Sequence, residues 1–117
     1  MAVRGVFVNA SERRNFAEGE VIFRAGERGS EMFGLVSGKI ELRNGDRIVA
    51  AVEPSDTFGE MALVTDAPRS LTAVAVEPSC VTVIDRTTFL HLVHETPTFA
   101  LEVMRSLAER LRAQNRR

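Results

Sequence analysis

The segment Asp56–Ala75, DTFGEMALVTDAPRSLTAVA, sets a carboxylate, Glu60, shortly ahead of a guanidinium, Arg69, in a stretch otherwise built like core. A guanidinium is a planar fork that grips a phosphate through two parallel hydrogen bonds. A carboxylate repels that phosphate, so Glu60 is placed to accept hydrogen bonds from hydroxyls beside it and to orient Arg69. A phosphate edge next to a ribose hydroxyl is what a nucleotide presents. Gly59, directly before Glu60, has no side chain to keep a ligand off the backbone. GEMALV is rich in helix formers, and one helical turn there would aim free N–H groups outward, the arrangement that holds anions. Pro68 fixes the backbone before Arg69 and directs it into a strand-like run. The competing reading is a ligand-free ion pair between Glu60 and Arg69. Buried pairs are weak devices for stability alone, which favours a ligand.

These residues need a frame. A chain of 117 residues has the length of one domain, and 44% apolar with 26% charged residues is ordinary globular composition. Residues 1–15 read as a short arm or helix, residues 16–84 as a roll of strands and residues 85–117 as two helices. In the middle region MFGLVSGKIELRNGDRIVAAV alternates apolar and polar residues around Asn44-Gly45, a hairpin signal. Glycines at 19, 26, 29, 34, 38, 45 and 59 punctuate the region, as a barrel or jelly roll with tight corners requires. After Ile84 the period changes to about 3.6 residues per turn. Asp85 caps one predicted helix, and Thr96-Pro97 opens a second. The second carries an apolar stripe of Ala100, Val103, Met104, Leu107 and Leu111. Glu102, Arg105, Glu109, Arg110 and Arg112 read as its solvated face. The expected fold is mainly β: an eight-stranded β-roll (jelly-roll, double-stranded β-helix) followed by two α-helices.

The formal net charge of −1 offers no footprint for nucleic acid or anionic membrane. Cys80 is alone, so neither an internal disulfide nor a cysteine zinc site forms, and a small buried thiol is expected. The N-terminus MAVRGVFVN does not resemble a secretory signal, and no apolar run approaches the ~18 residues of a membrane span. The expected location is cytoplasmic. His91 and His94 share a predicted helix without a third ligand, which argues against a metal and against a cupin-type metal enzyme, whose ligands sit on strands.

The chain resembles a cyclic nucleotide-binding domain, the sensor of catabolite activator protein-type regulators, protein kinase A regulatory subunits and cyclic nucleotide-gated channels. The resemblance lies in the phosphate-binding cassette: F-G-E, an apolar pair, a short loop and R-[ST], here Phe58-Gly59-Glu60-Met61-Ala62-Leu63 and Pro68-Arg69-Ser70. It extends over about residues 16–115. It implies a non-catalytic pocket for 3′,5′-cyclic AMP or cyclic GMP, with cyclic AMP favoured because Ser70 stands where cyclic GMP sensors often carry Thr. By the same resemblance Glu60 takes the ribose 2′-hydroxyl and Arg69 the cyclic phosphate. Gly59, Met61 and Ala62 complete the cradle, Ser70 and Leu71 follow Arg69 in the pocket, and Gln114 and Asn115 reach the base. It also implies a regulatory role with no cofactor beyond the nucleotide. The final helix would relay binding to a second copy of the chain or to an effector, with no direct nucleic-acid contact. A structural interaction domain of the same fold is the alternative. The chain departs from the family pattern at Ser55, where Gly is common before Asp56, at Leu71, where Ala is common, and in an abbreviated N-terminal helix.

Overall fold

Short runs of β-branched and aromatic residues between glycine turns give strands wherever one face of each can be buried. The computed structural model describes residues 12–65 and 67–115, apart from the side chain of Gln114. The strands are β1 (Glu12–Phe16), β2 (Val21–Phe23), β3 (Glu31–Ser37), β4 (Ile40–Asn44), β5 (Arg47–Val52), β6 (Thr57–Phe58), β7 (Thr72–Ala75) and β8 (Ser79–Asp85). Helix α1 (Met61–Val64) interrupts them, and α2 (Arg86–Glu95) and α3 (Thr98–Asn115) follow. Two four-stranded antiparallel sheets, ordered β1-β8-β3-β6 and β2-β7-β4-β5, face each other as the expected roll.

The N-terminal expectation needs correction. Glu12–Phe16 is not arm or helix but an edge strand, paired with β8 from Glu12↔Val83 to Phe16↔Ser79. Its exposed, charged ERRNF sequence hid the strand, because only Phe16 turns toward the core. Residues 1–11, including the expected abbreviated helix, lie outside the described residues.

Between the sheets sit Phe33, Leu35, Ile40, Leu42, Val52, Phe58, Ala73 and Val81. Strands β3 and β8 are buried on both faces, so they do not alternate. Met32 and Ile84, which are register partners, turn outward into a second cluster with Leu63, Leu92, Phe99 and Val103. That cluster seats the helices against the roll. Asp85 accepts from the Thr88 N–H at 2.8 Å and starts α2, as its position before RTTF predicts. The entry to α3 turns on the Thr96 and Pro97 carbonyls, which accept from Phe99 and Ala100.

The β4–β5 loop is Gly45-Asp46, one residue later than the Asn44-Gly45 signal suggests. Only Gly45 takes a positive φ, 63°, as a type II′ turn needs. Ser55 is the non-glycine exception, with φ 83° in the turn before β6. The glycine missing from that turn has left its backbone conformation behind.

Candidate functional site

Arg69 lies at the end of the loop between α1 and β7, and the roll wraps it closely. Its backbone N–H donates to the Glu27 carbonyl and its carbonyl accepts from Gly26, both at 2.7 Å. Its Nη1 donates to the Gly59 carbonyl at 2.9 Å and its Nη2 to the Glu31 carbonyl at 2.8 Å. The guanidinium stacks 4.2 Å from the Phe23 ring centre, at the rim of the Phe23–Phe33–Phe58 cluster. Burial lowers its pKa from the ordinary guanidinium value, while Glu31, Glu27 and Glu60 hold it up. Among the described residues, two of its five N–H donors are given to these carbonyls.

Two glycines make that fit. A Cβ on Gly59, whose φ is 78°, would lie 3.0 Å from Arg69 Nη1 and 3.2 Å from Phe23. A Cβ on Gly29 would lie 2.6 Å from Arg69 Nη2. Gly29 reads in the sequence as one more turn residue, and its tie to Arg69 carries no local signal.

Glu60 does not orient Arg69 through an ion pair. Both of its carboxylate oxygens accept from Arg110 Nη1 of α3, at 2.9 and 3.0 Å. Arg110 Nη2 donates to the Thr57 carbonyl as well. Arg110 was expected on the solvated face of its helix; its side chain is only 11% exposed, and Glu60's 5%. The pocket wall draws it in, since Arg110 flanks Leu107 and Leu111, which line the same cavity. Burial pushes the Glu60 carboxyl above its ordinary 4.5, and the Arg110 charge works against that.

The cavity they share measures about 240 Å³. Of the candidate residues, Gly59, Glu60, Met61, Ala62, Arg69, Ser70 and Leu71 all border it. Apart from Arg110, its remaining wall is apolar, from Phe23, Leu42, Ala67, Pro68, Leu107 and Leu111. Leu71 is buried and also packs into the roll core. Helix α1 forms as one short turn, but the Ala62 and Leu63 amides donate to the Gly59 and Glu60 carbonyls at 3.3 and 3.0 Å instead of pointing outward. Asn115 is exposed and outside the cavity lining, and the side chain of Gln114 is not among those described. His91 and His94 are exposed on α2, and the described residues hold no cluster of three metal-ligating side chains. No described helix is long and apolar enough to cross a membrane.

The stripe on α3 splits. Val103 packs inward beside Phe99, Leu107 and Leu111 face the cavity, and Leu101 and Met104 stay more than half exposed.

Residues 13–96 match the family described as cyclic nucleotide-binding domain. The chain is 34% identical over 106 residues to the Cyclic AMP receptor protein of Thermus thermophilus, covering 86% of this chain and 49% of that protein. It is 38% identical over 78 residues to the cAMP-dependent protein kinase regulatory subunit of Mycosarcoma maydis, covering 63% of this chain and 15% of that one. The crystal structure of Thermus thermophilus Catabolite Activator Protein superposes with a TM-score of 0.77 at 31% identity, over 97% of this chain and 55% of that one. The chain thus spans about half the length of its bacterial relative, and less of the kinase subunit.

Proposed function

The chain belongs to the cyclic nucleotide-binding domain family, a regulatory and non-catalytic one, and from that premise we propose how its own residues hold and report a ligand. Arg69 takes the cyclic phosphate with the N–H donors left free by Gly59 and Glu31. Glu60 accepts from the ribose 2′-hydroxyl, and the purine lies along Leu42, Leu71, Leu107 and Leu111. Gln114 and Asn115 reach the base only if the end of α3 folds over it. Cyclic AMP is favoured over cyclic GMP, on the Ser70 hydroxyl. The domain is a sensor without catalytic activity of its own, in the cytoplasm, and needs neither metal nor cofactor.

One observation carries this reading: Glu60 and Arg69 are both buried on a single cavity wall, and the helix that would report binding is fastened to that wall by Arg110. The cavity, at about 240 Å³, falls just below the ~300–1,000 Å³ common for small-molecule sites. A nucleotide therefore enters by shifting α3, and the shift is the signal. Its extent is limited by the ligand's affinity difference between the two helix positions. The exposed row of Leu101, Met104 and Leu111 supports a second copy of the chain, or an effector, as the receiver.

A second reading, a structural domain with a closed pocket, draws on the fact that Glu60 and Arg69 already have partners within the protein. Calorimetric titration with cyclic AMP and cyclic GMP separates the two. Saturable heat that Arg69→Ala abolishes supports the sensor; no heat from either nucleotide, with an unshifted melting temperature, leaves the structural domain.

A further inference from the structure

The last turn of a helix leaves its carbonyls without partners inside the helix. In α3 one of these, on Ala113, accepts a hydrogen bond from Arg47 Nη2 at 2.7 Å. Arg47 is the first residue of β5, paired across the Gly45-Asp46 turn with Asn44. The bond therefore fastens the tip of the β4–β5 hairpin to the end of the helix, and a cation there also meets the negative end of the helix dipole. One turn earlier, Arg110 fastens the same helix to Glu60 and Thr57.

On the N-terminal side of Arg110 a polar cavity of about 120 Å³ lies between the helix and β5, bordered by Ala50, Ala51, Asp56, Ser106, Glu109 and Arg110 itself. Ala113 touches the roll core with a single methyl group. Leu111, which covers the nucleotide pocket from this segment, is 49% exposed and so gains little from burial. Among the described residues, Arg47 and Arg110 supply the side-chain hydrogen bonds that tie the end of α3 to the roll.

We propose that Arg47 is a positioning residue: by clasping the last turn of α3 it keeps Leu111 over the pocket and sets how slowly a bound nucleotide leaves. This rests on the nucleotide-binding reading above. Arg47 lies outside the pocket lining, so its loss acts through the helix and not by removing a contact to the nucleotide.

The test compares wild type, Arg47→Met and Arg47→Lys, with Met keeping the stem and Lys a donor. A fluorescent cyclic AMP analogue is loaded and chased with unlabelled nucleotide in a stopped-flow instrument. Amide exchange across residues 105–115 is followed separately, without nucleotide. The expected result for Arg47→Met is dissociation faster by roughly two- to tenfold, the worth of one net hydrogen bond. Its amides near the end of α3 exchange faster, and Lys restores part of both effects. Nucleotide binding with unchanged dissociation in Arg47→Met overturns the role of Arg47 in retention and leaves the sensor reading standing. Faster amide exchange in a protein that binds no nucleotide overturns the sensor reading and retention with it, while the clasp on the helix stands. Unchanged exchange overturns the clasp itself.

Discussion

Replacing Arg110 by methionine tests the link between pocket and helix most directly. The side chain keeps an unbranched apolar stem and loses the guanidinium, so the change falls chiefly on charge and hydrogen bonding. Glu60 would remain buried, with its own backbone bond and the more distant Arg69 charge but without the ion pair. Breaking a buried pair from one side costs ~3–5 kcal/mol. Arg110 and Glu60 both border a cavity, so water can reach the stranded carboxylate, and a cost at or below the bottom of that range, about 2–3 kcal/mol, is expected. For a domain of this size that is a fall in melting temperature of about 8–12 °C. The loss depends on pH with a definite sign. Burial already raises Glu60 above 4.5, and the Arg110 charge and its hydrogen bond, which oppose that, disappear in the variant. The folded variant then holds its proton more tightly than the unfolded chain, so stability falls as pH rises above the ordinary carboxylate value. The deficit against wild type should be largest at about pH 8 and shrink toward pH 5. Glu60→Gln added to Arg110→Met removes the stranded charge and should recover at least ~1 kcal/mol. Urea unfolding at the two pH values decides the matter. An equal deficit at both, or none, would show that Glu60 and Arg110 are not paired in the folded protein.

Other expectations are simpler to check. Arg69→Ala should weaken cyclic nucleotide binding by ~2–5 kcal/mol, some 30-fold to several thousand-fold by calorimetry, because a buried phosphate loses its partner. Glu60→Gln should cost less, about 1.5–3 kcal/mol, and erase the preference for ribose over 2′-deoxyribose. Ser55→Gly relieves a left-handed φ of 83° and should raise stability by ~0.5–1 kcal/mol in thermal unfolding. An unchanged midpoint would mean that serine holds this turn without strain. Gly29→Ala forces the Arg69 guanidinium off the Glu31 carbonyl, since the new Cβ would sit 2.6 Å from Nη2. A flexible side chain can yield cheaply, so the fold should survive while nucleotide affinity drops about tenfold, near the worth of one charged hydrogen bond.

Most of the fold was legible because its signals are local. The glycine-punctuated strands, the hairpin near Gly45 and the cap at Asp85 each declare themselves within a few residues. The first strand was not legible, since an edge strand with four exposed positions buries too little to show a period of two. The exact start of α3 was displaced by one residue for a similar reason: Thr96 and Pro97 close a turn through their carbonyls before regular helix begins at Thr98. Ser55 shows the converse, for its departure from glycine marks in the sequence a backbone strain that only the structure reveals.

The site was legible on the cassette side and opaque on the helix side. Glu60, Arg69 and Gly59 announce themselves by type and spacing within ten residues, and one cavity gathers them. Arg110 stands 50 residues from Glu60, on a helix where every charge looks solvated. Its only local trace is its place between Leu107 and Leu111, at the margin of the apolar stripe. A long side chain at such a margin can snorkel outward or fold inward, and the choice depends on what the opposite surface lacks. Here the opposite surface is Glu60, a buried carboxylate, together with the Thr57 carbonyl. On the proposed reading, a carboxylate kept for ribose needs a cation that the phosphate does not consume. Arg69 is already committed to the Gly59 and Glu31 carbonyls, so the second cation comes from outside the cassette. If the pocket takes a nucleotide as proposed, the electrostatic need of one glutamate ties the helix that supplies that cation to the occupancy of the pocket.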